Sequence, residues 1–135
     1  MARWISANTL PNDPILVLHS LGRQSLASLP YAVLLADRPM PAQSINPPAS
    51  RRVLNPRLSA RARESVQSAI EEESLWSDAT LARWIDRDYD TILFQQDRSI
   101  DQRAQLSAIT AHFDQAAVAA YRGSNVYLYK RKPVQ

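Results

Sequence analysis

Two short apolar segments, Ile15-Leu16-Val17-Leu18 and Ile92-Leu93-Phe94, restrict the fold of this chain more than any other feature. The first is an unbroken run closed by Pro14 on one side and His19-Ser20 on the other. No polar residue alternates within it, so a strand formed there is buried on both faces, as in a parallel sheet covered by helices. The second lies within Tyr89–Gln95, where apolar, strand-favouring residues cluster. The stretches between them read largely as helices. Two such strands are expected to run parallel, joined by a right-handed crossover. The expected fold is therefore a small Rossmann-like layered α/β sandwich, with a short, mostly parallel sheet and a C-terminal antiparallel hairpin.

The other elements follow from local signals. Residues 2–8 predict a short helix carrying Trp4 and Ile5, stopped by Pro11 and Asp13-Pro14. Leu21, Leu26, Leu29, Val33 and Leu34 suggest a helical stretch bent or broken at Pro30. Residues 39–56 hold five of the nine prolines and read as a loop, with a short edge strand near 43–45. Asn55-Pro56 predicts a helix start, and Leu58, Ala62, Val66, Ala69 and Ile70 give that helix one apolar stripe. Its last turn carries Glu71-Glu72-Glu73 against the helix dipole, so a basic neighbour is expected. Ser77-Asp78 caps a short helix burying Leu81, Trp84 and Ile85, and Ser99 caps another with Leu106, Ile109 and Phe113 inside. Val118–Tyr121, the turn Arg122-Gly123-Ser124-Asn125 and Val126–Lys130 form the terminal hairpin. In its last strand Val126 and Leu128 alternate with Tyr127 and Tyr129, so each face has its own lining. Residues 1–135 are expected to form one domain, large enough for a core without disulfides or structural metal.

Composition then excludes whole classes of chemistry. There is no cysteine, hence no disulfide, thiolate nucleophile or cysteine zinc site. The two glycines, Gly22 and Gly123, stand alone, so no dinucleotide fingerprint or phosphate-cradling loop can form, and no cofactor is expected. The longest apolar runs, Pro14–Leu18 and Tyr31–Ala36, fall short of the roughly 20 residues of a membrane helix. Arg3-Trp4 leads into polar Ser6, Asn8 and Asn12, which is not a signal peptide.

The net charge of +3 conceals a segregation. From Arg38 to Arg63 there are six arginines and no acid, whereas residues 64–114 hold eleven acids against four arginines, a net of −7. Arg51, Arg52, Arg57 and Arg61 are the candidate anion-binding residues. The plainer reading is that the basic and acidic segments answer each other inside the domain. The cluster lacks interleaved aromatics and a groove-reading motif, so nucleic acid is not the expected partner. Lys130-Arg131-Lys132 reads as a solvated tail, and Trp76 and Trp84 as core residues.

In open α/β sheets ligands favour the crevice beyond the carboxyl ends of the parallel strands. That rim would carry His19, Ser20 and Arg23 after the first strand and Gln95, Gln96 and Asp97 after the second. His19, Ser20, Arg23, Gln95 and Asp97 are thus the candidate ligand-binding residues. No G-x-S-x-G turn or glycine-lined oxyanion loop accompanies them, so no catalytic residue is assigned. A small α/β enzyme using His19 and Asp97 remains as an alternative. Asp86, Asp88 and Asp90 alternate like a calcium loop, but Thr91 and Asp97 occupy its glycine and glutamate positions. They read as an aspartate-rich turn. His19 and His112 are far apart in sequence, and no metal site is assigned.

Several phrases in order carry a resemblance. They are Trp4-Ile5 to Asn12-Asp13-Pro14, Ile15–His19, Leu35-Ala36-Asp37-Arg38-Pro39, and Leu81–Leu93 with its Trp84-Ile85-Asp86-Arg87-Asp88-Tyr89 centre. The chain closes on Tyr121, Gly123, Val126-Tyr127-Leu128-Tyr129 and Lys130-Arg131. This order resembles the soluble C-terminal domain of multi-spanning membrane glycosyltransferases that use polyprenyl-phosphate sugars. The resemblance covers nearly the whole chain through short, degenerate phrases. It implies a small α/β domain outside the bilayer on the extracytoplasmic face; a chain complete as given would instead be cytoplasmic. The family's catalytic carboxylate belongs to its membrane part, so no catalytic residue carries over. The implied role is acceptor selection or partner binding. Implied partners are the membrane portion of the parent protein, anionic lipid headgroups, and a saccharide or lipid-linked sugar. The alternative is a free-standing module that binds an anionic partner through Arg51–Arg63.

Overall fold

A computed structural model describes residues 1–18, 28–40, 58–64, 82–98 and 101–133. Four strands form one sheet: β1 (Ile15–Leu18), β2 (Thr91–Gln95), β3 (Phe113–Tyr121) and β4 (Ser124–Arg131), in the order β1-β2-β4-β3. β1 and β2 are parallel, with Ile15 opposite Thr91 and Leu18 opposite Phe94. β4 runs antiparallel to both β2 and β3, so the hairpin joins the sheet through its second strand. The chain is a layered α/β sandwich.

Each face of the sheet has its own core. Ile15, Val17, Leu93, Val126 and Leu128 point to one side, where they meet Ile5 of α1 (Ala2–Asn8) and Leu29 and Val33 of α2 (Ser28–Leu35). Leu58 and Ala62, beside and within the helical turns of α3 at 60–64, complete that layer. Leu16, Leu18, Ile92, Phe94 and Tyr129 point the other way, against Trp84 and Ile85 and against Ile109 of α4 (Arg103–His112). All four side chains of β1 are at most 1% exposed, as its unbroken apolar run requires. Burying one such side chain contributes about 1.5–3 kcal/mol. β1 therefore fastens both helical layers to the sheet.

Several local expectations are corrected. Pro30 does not break α2; it lies in the first turn, where its missing N–H would have had no helical partner. α3 starts on Ser59, whose Oγ accepts from the Ala62 N–H at 3.0 Å, and Leu58 lies just before the helix rather than on its stripe. Asn55-Pro56, the strand near 43–45, Glu71–Glu73, Trp76, Ser77-Asp78 and Ser99 lie outside the described residues. Trp84–Asp88 forms a π-helical turn, with the Tyr89 N–H donating to the Trp84 carbonyl at 3.2 Å. Phe113 is buried as expected, but as the first residue of β3, opposite Arg131. The hairpin turn is two residues, not four. Arg122 and Gly123 have φ of 49° and 79°, and the ladder resumes at Tyr121–Ser124. That left-handed pair matches the twist of the flanking strands.

Candidate functional site

The carboxyl end of the parallel pair is built around three glutamines. β2 ends at Gln95, 1% exposed, whose side chain shares a face with Thr91 and Leu93. Its Nε2 donates to Ser124 Oγ at 3.3 Å, while its Oε1 is buried and accepts no hydrogen bond. Gln96 donates its backbone N–H to the Asn125 carbonyl at 2.9 Å, and its Oε1 is likewise buried and unmatched. Gln102, 8% exposed, holds the turn from behind. Its Nε2 donates to the Gln95 carbonyl at 3.1 Å and its Oε1 accepts from the Asp97 N–H at 2.8 Å.

Of the predicted ligand-binding set, Gln95 and Asp97 stand together at this rim, their backbones bridged by one carboxamide. His19, Ser20 and Arg23 lie outside the described residues. Gln102 was not foreseen. It sits just before α4 without a side-chain capping bond, spending both ends of its amide on the turn instead. The only signal was a glutamine shortly after a strand-ending Gln-Gln-Asp, which sequence reading has no rule for.

The acid-free segment is partly committed inside the fold. Arg38 donates to Thr9 Oγ1 at 2.9 Å, to the Thr9 carbonyl at 3.2 Å and to the Ala36 carbonyl at 2.8 Å, closing the C-terminal end of α1 onto the end of α2. Arg61 donates to the Asp37 carbonyl, to the Pro11 carbonyl at 3.2 Å and to Asn12 Oδ1 at 3.3 Å, with Asp37 Oδ2 at 3.6 Å. These bonds tie α3 to two loops. Arg51, Arg52 and Arg57 lie outside the described residues. Arg131 also departs from the solvated-tail reading. It donates to the carbonyls of Ile85, Asp86 and Tyr89 at 2.8, 2.9 and 2.6 Å and to Asp90 Oδ1 at 3.0 Å.

Two other concavities lie among the described residues. A groove of about 580 Å³ between the π-helical turn and α4 is lined by Ile85, Ala108, Ala111 and a contact of 3.5 Å between Asp86 Oδ1 and His112 Nε2. Both of those side chains are about half exposed (57% and 47%), so water screens their interaction. A hollow of about 380 Å³ at the opposite end of the sheet from Gln95 holds Asp13, Asp90, Lys130 and Arg131. Those four charges are paired, Lys130 with Asp13 at 3.6 Å and Arg131 with Asp90 at 3.0 Å, and Lys132 also lines the hollow. Asp86, Asp88 and Asp90 do not converge: Asp88 pairs with Arg83 at 3.2 Å, and among the described residues no three acids or histidines form a metal-binding group. No helix of the described residues is long and apolar enough to cross a membrane.

No protein family, curated protein or solved structure matches the chain. The rim places three carboxamides, of Gln95, Gln96 and Gln102, and the Asp97 carboxylate at one strand end. The one histidine described, His112, ends α4 beside the start of β3, at the far end of the sheet from Gln95.

Proposed function

We propose that the chain is a non-catalytic accessory domain of a membrane glycosyltransferase-like protein, placed on the extracytoplasmic side, whose strand-end rim engages a saccharide or lipid-linked sugar. The observation that carries this reading is the cluster of polar side chains at the carboxyl end of the parallel strands, where Gln96 and Asp97 remain partly exposed beside buried Gln95 and Gln102. Carboxamide and carboxylate groups are partners that sugar hydroxyls take in hydrogen bonds. A catalytic role draws less support, since the described part of the rim presents carboxamides and a single carboxylate without a nucleophile–base pair. The reading of an anion-binding module is weakened by Arg61, which is spent on Asp37, Pro11 and Asn12.

The test is a nitrogen-15 NMR titration with a series of neutral saccharides and with polyprenyl-phosphate sugars held in lipid nanodiscs. The expected result is a saturable shift of the Gln95 and Gln96 side-chain amides, lost in Gln95→Leu while the remaining spectrum keeps its dispersion. Absence of any shift at these amides across the series, or unchanged binding by Gln95→Leu, overturns the assignment of the rim. The link to a membrane enzyme is tested by the flanking coding sequence, where several apolar spans in the same reading frame are expected. In-frame stop codons on both sides would remove it.

A further inference from the structure

The two edges of the sheet are finished differently. β1 is four residues long and wholly buried, and its first N–H donates to the Pro39 carbonyl at 2.8 Å. β3 is nine residues long and pairs, among the described residues, with β4 alone. Its side chains stay largely exposed after Phe113, and Val118 is 49% exposed. Edge strands are usually guarded by lysine, proline, inward charges or shortness. From Gln115 to Tyr121 there is no charge and no proline, and four of the seven residues are alanine. A single irregularity, the extra residue Ala116, leaves 117–121 in regular pairing. Because Tyr121 and Ser124 face each other across the two-residue turn, the N–H and C=O groups of Val118 and Ala120 are directed away from β4.

We propose that β3 pairs antiparallel with β3 of a second copy about a two-fold axis, joining two four-stranded sheets into one. Charge complementarity selects this occupant and this direction. Asp114 and Arg122 flank the uncharged stretch, each four residues from Val118. A two-fold at Val118 brings Asp114 of each copy toward Arg122 of the other, twice per dimer. The extra residue at Ala116 offsets this register by one position, within the reach of an arginine side chain. Pairing in the same direction would set Asp114 on Asp114 and Arg122 on Arg122. Lys130, opposite Asp114 on β4, is turned instead to Asp13 at 3.6 Å and to Thr91 Oγ1 at 3.2 Å. The alanines let the two backbones approach without side-chain obstruction, and the contact is isologous and closed. One strand pair is a small interface, so association at roughly 10–1000 μM is expected.

Sedimentation velocity of the full chain, from about 5 μM to about 1 mM, tests this. The wild type is expected to shift from monomer to dimer with concentration, and Val118→Lys, which sets two cations on the axis, to remain monomeric. Asp114→Arg is expected to weaken association at least tenfold, and Asp114→Arg with Arg122→Asp to restore it to within about threefold of wild type. Hydrogen exchange at the Val118 and Ala120 amides is expected to slow as concentration rises, a readout that needs no variant. A wild type that stays monomeric throughout overturns the proposal, and binding of a foreign peptide strand by such a monomer would reassign the edge. Unchanged association of a folded Val118→Lys, a double variant no better than Asp114→Arg, or concentration-independent exchange at the two amides overturns it equally.

Discussion

The guanidinium of Arg131 lies 4.5 Å from the centre of the Phe113 ring, and its edges bond the carbonyls of Ile85, Asp86 and Tyr89. One residue at the end of β4 thus covers the first ring of β3 and satisfies the open end of the π-helical turn. Carbonyls at a helix end need such partners, and a planar guanidinium can serve several at once.

Replacing Arg131 by methionine, which keeps the stem over Phe113 but removes every donor, is expected to cost about 2–4 kcal/mol. Lysine should recover less than half, because an ammonium cannot present a fork to three separated carbonyls. Urea denaturation followed by tryptophan fluorescence reads the difference, since Trp84 belongs to the same turn. A loss below about 0.5 kcal/mol for the methionine variant would show that the turn is held by other contacts.

Asp37 ends α2 with a φ of 57°, its N–H bonding to the Leu34 carbonyl at 3.0 Å and that of Arg38 to Val33 at 3.3 Å. This is a Schellman-type ending in a position where glycine is the usual residue. The aspartate pays for itself through its carboxylate, which accepts from Ser59 Oγ and lies near Arg61. Asp37→Gly relieves the left-handed backbone but loses those bonds, so a net destabilisation of about 0.5–2 kcal/mol is expected. Asp37→Ala loses both and should fall about 1 kcal/mol further. Thermal unfolding that ranks glycine above wild type would show the carboxylate to be dispensable.

Two phenols give the protein an alkaline limit. Burial holds Tyr89 above the ordinary phenol range, with Asp88 adding to the effect, and burial does the same to Tyr129, helped by neighbouring Tyr127. The native state therefore keeps these protons after the unfolded chain has lost them. Their contribution is fully present below about pH 10, the ordinary phenol value, and declines as pH rises through the higher native values. Absorbance at 295 nm should show part of the tyrosine signal titrating late and together with loss of the circular dichroism signal. Simultaneous titration of all tyrosines while the fold persists would contradict this.

The layered fold was legible because Ile15–Leu18 and Ile92–Phe94 carry their own instructions: apolar on both faces, hence covered on both sides. The alternation of Val126 and Leu128 with Tyr127 and Tyr129 likewise announced a strand serving two cores. Charge was harder to read. Arg38 reaches Thr9, Arg61 reaches Pro11, and Arg131 reaches Ile85. Composition shows that a cation is present, not which distant carbonyl the fold will bring beside it. At the rim, Gln95 and Asp97 followed from the strand-end rule, whereas Gln102 did not, because its amide imitates backbone and so leaves no pattern. The π-helical turn also had no local signature. Its end is held where Arg131 donates to the Tyr89 carbonyl.

A strand whose side chains are all apolar looks alike from above and below. Sliding β1 by one position would exchange Ile15 and Val17 for Leu16 and Leu18 between the two cores, a trade the hydrophobic effect scarcely notices. Its alignment must be recorded outside the strand. Pro14 has no N–H to offer a ladder, and the N–H that follows it, on Ile15, is taken by Pro39. Two prolines, the residues usually cited for interrupting sheets, are what tell this one where to begin.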